Sequence, residues 1–464
     1  MVNEQARGTD EQEQGEPQAG SQALGVIHPN AAGIDVGSTE HWVAVPRDRC
    51  DEPVRSFGCS TPQLHKMADW LVGCGIDTVA IESTGAYWVA MYEVPDARGL
   101  KVVLVNTLHV RTVPGRKSDV LDCQWLQQLH SLGLLHASFR PTREIVELRA
   151  YLRQREGLVK GASQQVLRMQ KALVLMNVQL ASVVTDIVGQ TGMTIIRAIV
   201  AGERDPQKLA AHRDPRCRAS RQTIAEALVG NYQPEHVLAL RQCLRLYDTF
   251  EQLIAECDET VEQWMEDHVP TETDLPPLPA PLKKERNKSP VGQLRESLYR
   301  LTGVDLTSIP GIASFVAVLL ISEIGTDMSK WPTMSHFTAW LRVAPGTKKS
   351  GGKVLSSHTL PSTNRALILL RLAAVAAGRT NTGLGAYYRR QAARKGKGHA
   401  VACTAHKLAR IIYSMLKNRK PLYVEHGEEA GRARQTARRV SNLRRQAKSL
   451  GFNLVSLSEP AVAA

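Results

Sequence analysis

The sequence predicts an α/β domain, then long helices, then a mainly helical C-terminal domain. Three observations carry this reading. Short apolar runs of strand length alternate with helical stretches between Ala31 and Pro141. Apolar residues then recur at alternating spacings of three and four from Ile145 to Ile187. Beyond Leu301, apolar stretches of helical length alternate with basic ones.

In chain order, residues 1–29 are polar and low in complexity, the composition of a disordered tail. Residues 30–141 follow as the α/β domain. Its expected strands are 33–36, 42–45, 54–57, 78–81 and 102–105, with helices at 62–71 and 86–97. Asp35 closes the first strand, where a carboxylate is disfavoured and costly to bury unpaired. The plain alternative is an Asp that caps a strand. Gly37, two residues on, leaves room for a phosphate or a metal-bound water. Glu82 ends the strand Asp77-Thr-Val-Ala-Ile81, at the sheet edge where open α/β sheets bind ligands. Asp119 and Asp122, spaced i, i+3, share a helix face behind Ser118, a candidate N-cap.

Four converging carboxylates repel one another and make a poor stability device. They suit hard divalent cations, which take oxygen ligands. Two such ions about 3.5–4 Å apart serve phosphoryl transfer. Arg111, Arg116 and Lys117, just before the Asp pair, read as phosphate contacts.

Residues 142–268 form a helical segment with a heptad seam that only Arg155 interrupts. A second run, from Leu240 to Trp264, keeps the same rhythm. The two pair within one chain or across a dimer, and periodicity leaves both open. Residues 269–298 read as a proline-rich and then basic linker.

A C-terminal domain spans residues 299–423. Ile309-Pro-Gly-Ile312 before an apolar helix looks like a helix-hairpin-helix turn able to hold a phosphate. Gly346 to Lys353 forms a basic loop with Ser350 beside two glycines. Lys348, Lys349 and Lys353 would hold a phosphate there, without the spacing of an ATP loop. The run from Asn364 to Ala377 is nearly all apolar and is expected in the core. Arg389, Arg390, Arg394 and Lys395 begin a basic face that Lys397, Lys407 and Arg410 extend, and a basic tail fills 424–464.

The length gives a soft prior of roughly three domains. A formal net charge of +13 makes an anionic polymer the leading partner class. No apolar run reaches the roughly 18 residues of a membrane span, and no signal peptide is read at the start, so a cytoplasmic, nucleoid-associated protein is expected. Eight cysteines without a Cys-x-x-Cys pair argue against a zinc site and a disulfide framework.

The order Gly-Ile-Asp35-Val-Gly, Ile-Glu82-Ser-Thr-Gly, Lys-Ser-Asp119-Val-Leu-Asp122 resembles the N-terminal domain of the insertion-sequence-110-type transposases, the DEDD recombinases related to the Piv invertase. Ile309-Pro-Gly-Ile, the Pro345 to Gly352 loop and Asn364-Arg-Ala-Leu resemble that family's second domain. The likeness spans Gly33 to Tyr423. It implies an RNase H/RuvC-like fold, a coiled-coil insert, and a DEDD tetrad of Asp35, Glu82, Asp119 and Asp122 holding magnesium. It implies Ser350 as the nucleophile of a covalent DNA intermediate, with Ser356 and Ser357 as nearby alternatives that lack the adjacent glycine. It further implies a structured guide RNA encoded by the element and a homodimer or tetramer, and it leaves open whether active sites are shared between protomers. Arg342-Val343-Ala344 depart from the small-residue pair usual before the loop proline.

Three rivals stand beside this reading. A sugar-kinase or actin-type ATPase shares Gly-Ile-Asp-Val-Gly-Ser-Thr, but no second Asp-Gly-Gly-Gly motif follows. A junction nuclease would use water and need no serine. A catalytically silent nucleic-acid-binding descendant would not need the carboxylates.

Overall fold

The computed structural model describes residues 25–83, 85–106, 118–269, 275–280, 294–424 and 428–454. The chain divides into two compact units, Met1–Arg140 and Pro141–Ala464.

The first unit is built on a five-stranded mixed sheet of β1 (Ala31–Val36), β2 (Glu40–Ala44), β3 (Val54–Gly58), β4 (Thr78–Glu82) and β5 (Lys101–Val105). The strand order is β3-β2-β1-β4-β5, with β1, β2 and β3 antiparallel and β1, β4 and β5 parallel. Helices α1 (Thr61–Gly73) and α2 (Trp88–Ala97) supply the parallel crossovers. Every strand expected from the sequence forms, within two residues of its expected ends.

Period-two alternation sorts the side chains of β1 between two covered faces. Ala32, Ile34 and Val36 join Val79, Ile81, Leu64, Met67 and Leu71 in one core against α1. Gly33 and Asp35 point the other way, toward α3 (Asp119–Ser131). Burial on both faces explains why β1 is nearly all apolar and makes its one carboxylate conspicuous.

The second unit opens with α4 (Arg143–Leu175), which bends off at Asn177. Four short helices follow: α5 (Leu180–Val183), α6 (Gln190–Ala201), α7 (Pro206–Ala210) and α8 (Arg221–Ala227). Then α9 (Pro234–His268) runs back along α4. The heptad seam therefore does not continue as one helix to Ile187. Asn177 takes a left-handed φ of 55°, and the Val178 N–H donates back to Leu173 O, which is how such helices end. Leu180 and Ile187 still enter the apolar cluster that Met169 and Leu173 begin.

The two long helices pair antiparallel within one chain: Arg155 meets Asp258, and Gly161 lies under the Phe250 ring. Arg155, the residue that breaks the seam, donates to Asp258 and stands 4.9 Å from the centre of the Phe315 ring.

The C-terminal part comprises α10 (Leu294–Thr302), α11 (Ser314–Ile324), α12 (Met334–Trp340), the hairpin β6 (Lys348–Ser350) and β7 (Lys353–Ser356), α13 (Arg365–Gly378), α14 (Gly383–Lys395), α15 (Lys397–Lys417) and α16 (Glu428–Ser449). Arg149 ties it to α4 by donating to Ser322 O and Glu323 O at 2.8 and 2.9 Å, at the carbonyl end of α11.

At the Pro-Gly turn, a Cβ on Gly311 would meet Ala373 O of α13 at 2.4 Å, so the glycine lets the turn press onto α13. One expectation changes here: α13 is not wholly core, since Ile368 and Leu372 are 47% and 60% exposed.

Candidate active site

The carboxylates gather through register and one close helix contact. β1 pairs with β4 as Gly33 to Ala80 and Ile34 to Ile81. Carried one residue on, that register sets Asp35 beside Glu82, both on the α3 side of the sheet. Gly33 brings α3 in. A Cβ at this position would lie 2.3 Å from the Gln127 nitrogen and 2.5 Å from Cys123 O. No other residue lets α3 lie this close to β1. Ser118 caps α3 by accepting the Leu121 N–H, which puts Asp119 and Asp122 in the first turn. At the far end, His130 and Thr78 of β4 meet at 2.8 Å and pin the helix to the sheet.

The electrostatics register this proximity. The Asp35 carboxyl is pushed up to about 6, first by burial and then by Asp119, Asp122 and Glu82, against a lowering contact from the Val36 N–H. Cys123, buried against Asp35, has its thiol pushed up to about 12 by burial and then by that carboxylate, so it is inert. Burial chiefly, with His28 and Lys101, lowers His130 to about 4 and keeps its ring neutral.

The donor set is one that hard cations choose. Among the described residues, however, no three Asp, Glu, His or Cys side chains close on a common point. Like charges hold such groups apart, which accounts for a cluster that interacts without converging.

Several residues sit differently from their sequence readings. Gly37 offers no room for a ligand, because the place its Cβ would take is filled by Glu40 O at 2.4 Å. It serves the tight β1–β2 turn. Ser350 is not in a phosphate-cradling loop but ends β6, pairing with Lys353 across Gly351 and Gly352. Those glycines have φ of 53° and 76°, as a two-residue hairpin turn requires. Lys348, Lys349 and Lys353 are exposed on the same hairpin. Arg389 donates to Gly378 O and Thr380 O and so fastens the end of α13, while Arg394 and Lys395 are exposed at the end of α14 and Arg390 is half-buried. Arg111, Arg116 and Lys117 lie outside the described residues, as do the side chains of Arg432, Arg434, Arg438 and Arg439.

Two site residues escape a reading of the sequence. Gly33 is legible in principle, since an isolated strand glycine marks close backbone approach. Trp42, paired with Asp35 across β1 and β2, shares its face, and only register reveals that.

Comparison with known proteins gives the family. A model described as "Transposase", of the DEDD IS110 group, matches residues 32–178, which include all four carboxylates. A second, "Transposase IS116/IS110/IS902 family", matches residues 305–389, which include Ser350. The chain belongs to the IS110 family of transposases. It is 34% identical over 118 residues to the "Insertion element IS110 uncharacterized 43.6 kDa protein" of Streptomyces coelicolor. That match covers 24% of this chain and 28% of the relative. Among the described residues no helix is long and apolar enough to cross a membrane.

Proposed function

We propose that this IS110-family protein is a DNA transposase that cuts and rejoins the strands of its insertion sequence. The observation that carries the reading is Asp35. It is a half-buried carboxylate that the β1–β4 register sets beside Glu82, facing the helix whose first turn carries Asp119 and Asp122. Burial first, and then those three carboxylates, raise its pKa to about 6, the kind of perturbed group that gathers at functional sites. The mixed strand order with helices on both faces supports an RNase H/RuvC-like reading of the first unit.

Asp35, Glu82, Asp119 and Asp122 would hold magnesium, two ions per site. Bound there, the ions supply charge stabilisation for the phosphate under attack and for the departing oxygen. Ser350 is the proposed nucleophile. Its Oγ gives up its proton and forms a bond to phosphorus, the bond from phosphorus to the leaving deoxyribose oxygen breaks, and that oxygen takes up a proton in turn. The exposed lysines of the hairpin would hold flanking phosphates, as would the basic helix faces and Arg111, Arg116 and Lys117. A structured guide RNA and a homo-oligomer complete the proposal. With the α4–α9 seam used within the chain, an oligomer through this segment would use outward residues such as Leu167 and Leu238. Localisation with the nucleoid belongs to the same reading.

The water-using nuclease keeps one observation in its favour: all four carboxylates lie in one unit, and Ser350 lies in the other. A denaturing gel of protein, element-end DNA, flanking transcript and magnesium separates the two readings. A covalent protein–DNA band, lost in both Ser350→Ala and Asp35→Ala, is expected. Cleavage that survives Ser350→Ala but not Asp35→Ala leaves the nuclease.

A further inference from the structure

The hairpin of β6 and β7 carries more than Ser350. Lys349 pairs with Val354 and Lys348 with Ser356, so Leu355 is an extra residue with no cross-strand partner. A bulge of this kind re-aims a side chain out of the ladder. Leu355 is 69% exposed and Val354 58%, two apolar side chains bared on a ribbon whose neighbours are Lys348, Lys349 and Lys353. Exposed apolar residues on a short ribbon are a liability unless something covers them. The surrounding cations specify what does: a polyanion with an apolar interior, which is stacked DNA.

We infer that Leu355, with Val354 beside it, is a wedge that parts a DNA base step next to the phosphate presented to Ser350. This rests on the DNA reading above. Proteins that kink DNA insert apolar side chains of this kind between base steps while basic residues hold the backbone. The spacing fits. Leu355 lies two residues along β7 from Lys353, the partner of Ser350, and two strand residues span about 7 Å. That is close to two base rises of about 3.4 Å each. The parted step therefore falls within about two base pairs of the phosphate under attack, where unstacking frees the backbone to turn toward the serine.

The test uses full-length protein with its flanking transcript and a duplex of the element's own end, carrying 2-aminopurine at successive positions. Wild type should give a several-fold rise in fluorescence confined to about two base pairs around the cleavage point. Leu355→Ser should abolish the rise while still shifting the duplex in a gel, because the lysines remain. Leu355→Met and Ser350→Ala should both keep it. A rise unchanged in Leu355→Ser, or duplex bound with no rise at any position, overturns the wedge and leaves the transposase reading standing. Leu355→Ser that changes only the sedimentation of the free protein assigns the patch to a second copy, and also overturns it. Failure of wild type to bind the duplex even at low salt overturns both readings.

Discussion

Asp35 sets a stability cost at the residue scale. Its carboxyl titrates near 6 in the folded chain rather than near its ordinary 3.8. The folded state therefore binds the proton more tightly than the unfolded state does. Stability should fall as pH rises from about 4 to 6, by at most about 3 kcal/mol. Asp35→Asn removes that penalty. In urea denaturation with a chelator present, the variant should be the more stable protein above pH 6 and the two should converge near pH 4, while strand cleavage is lost. Magnesium should raise the wild-type midpoint above pH 6 and leave the variant unmoved. Equal midpoints at pH 8 in chelator would show that neither burial nor the neighbouring carboxylates penalise the Asp35 charge. Gly33 acts through packing. Gly33→Ala forces α3 away from β1 and should cost about 1–3 kcal/mol in thermal unfolding, with activity reduced because Asp119 and Asp122 move with the helix.

The elements show where local signals suffice and where they stop. β1, β4 and α3 are legible because apolar alternation, a capping serine and an acidic first turn act over a few residues. The end of α4 is not: apolar spacing runs on past Met176, and only Asn177's left-handed backbone marks the break. The hairpin reads as a loop although Gly-Gly between short runs is a known hairpin signal, since lysines on both sides hide the alternation. Arg342 adds a strained point before Pro345, with φ of 58°. Arg342→Gly should raise the thermal midpoint by the equivalent of up to about 1 kcal/mol, the strain of a left-handed side-chain residue less the added freedom of glycine. Arg155 tests the helix pair. Arg155→Ala strands Asp258 in a largely covered position and should destabilise by about 3 kcal/mol in urea denaturation, whereas the double change to leucine at both positions should recover most of it.

Charge acts at the scale of the whole molecule. With a net +13, binding to duplex DNA should weaken steeply with salt. Changing Lys348, Lys349 and Lys353 together to alanine should lower the log–log salt slope by about 2–3, at roughly 0.9 for each phosphate no longer neutralised. Anisotropy titrations between low and moderate salt read this directly, and an unchanged slope would remove the hairpin from the DNA interface.

The sequence by itself determined the chemistry available: four carboxylates in strand-end and helix-start positions, a serine between lysines and glycines, and two long apolar seams. Those signals are short-ranged, and periodicity states them without naming a partner. Only the tertiary structure decided which faces meet. Asp35 and Glu82 point to the α3 side because register and period two place them there, and α3 reaches them because Gly33 has no side chain in the way. The two seams closed on each other within one chain, since α4 bends off at Asn177 and the chain can return. Leu355 stands exposed because one extra residue in β7 removes it from the ladder. Each of these outcomes depends on contacts between residues far apart in the chain, where local propensity carries no information.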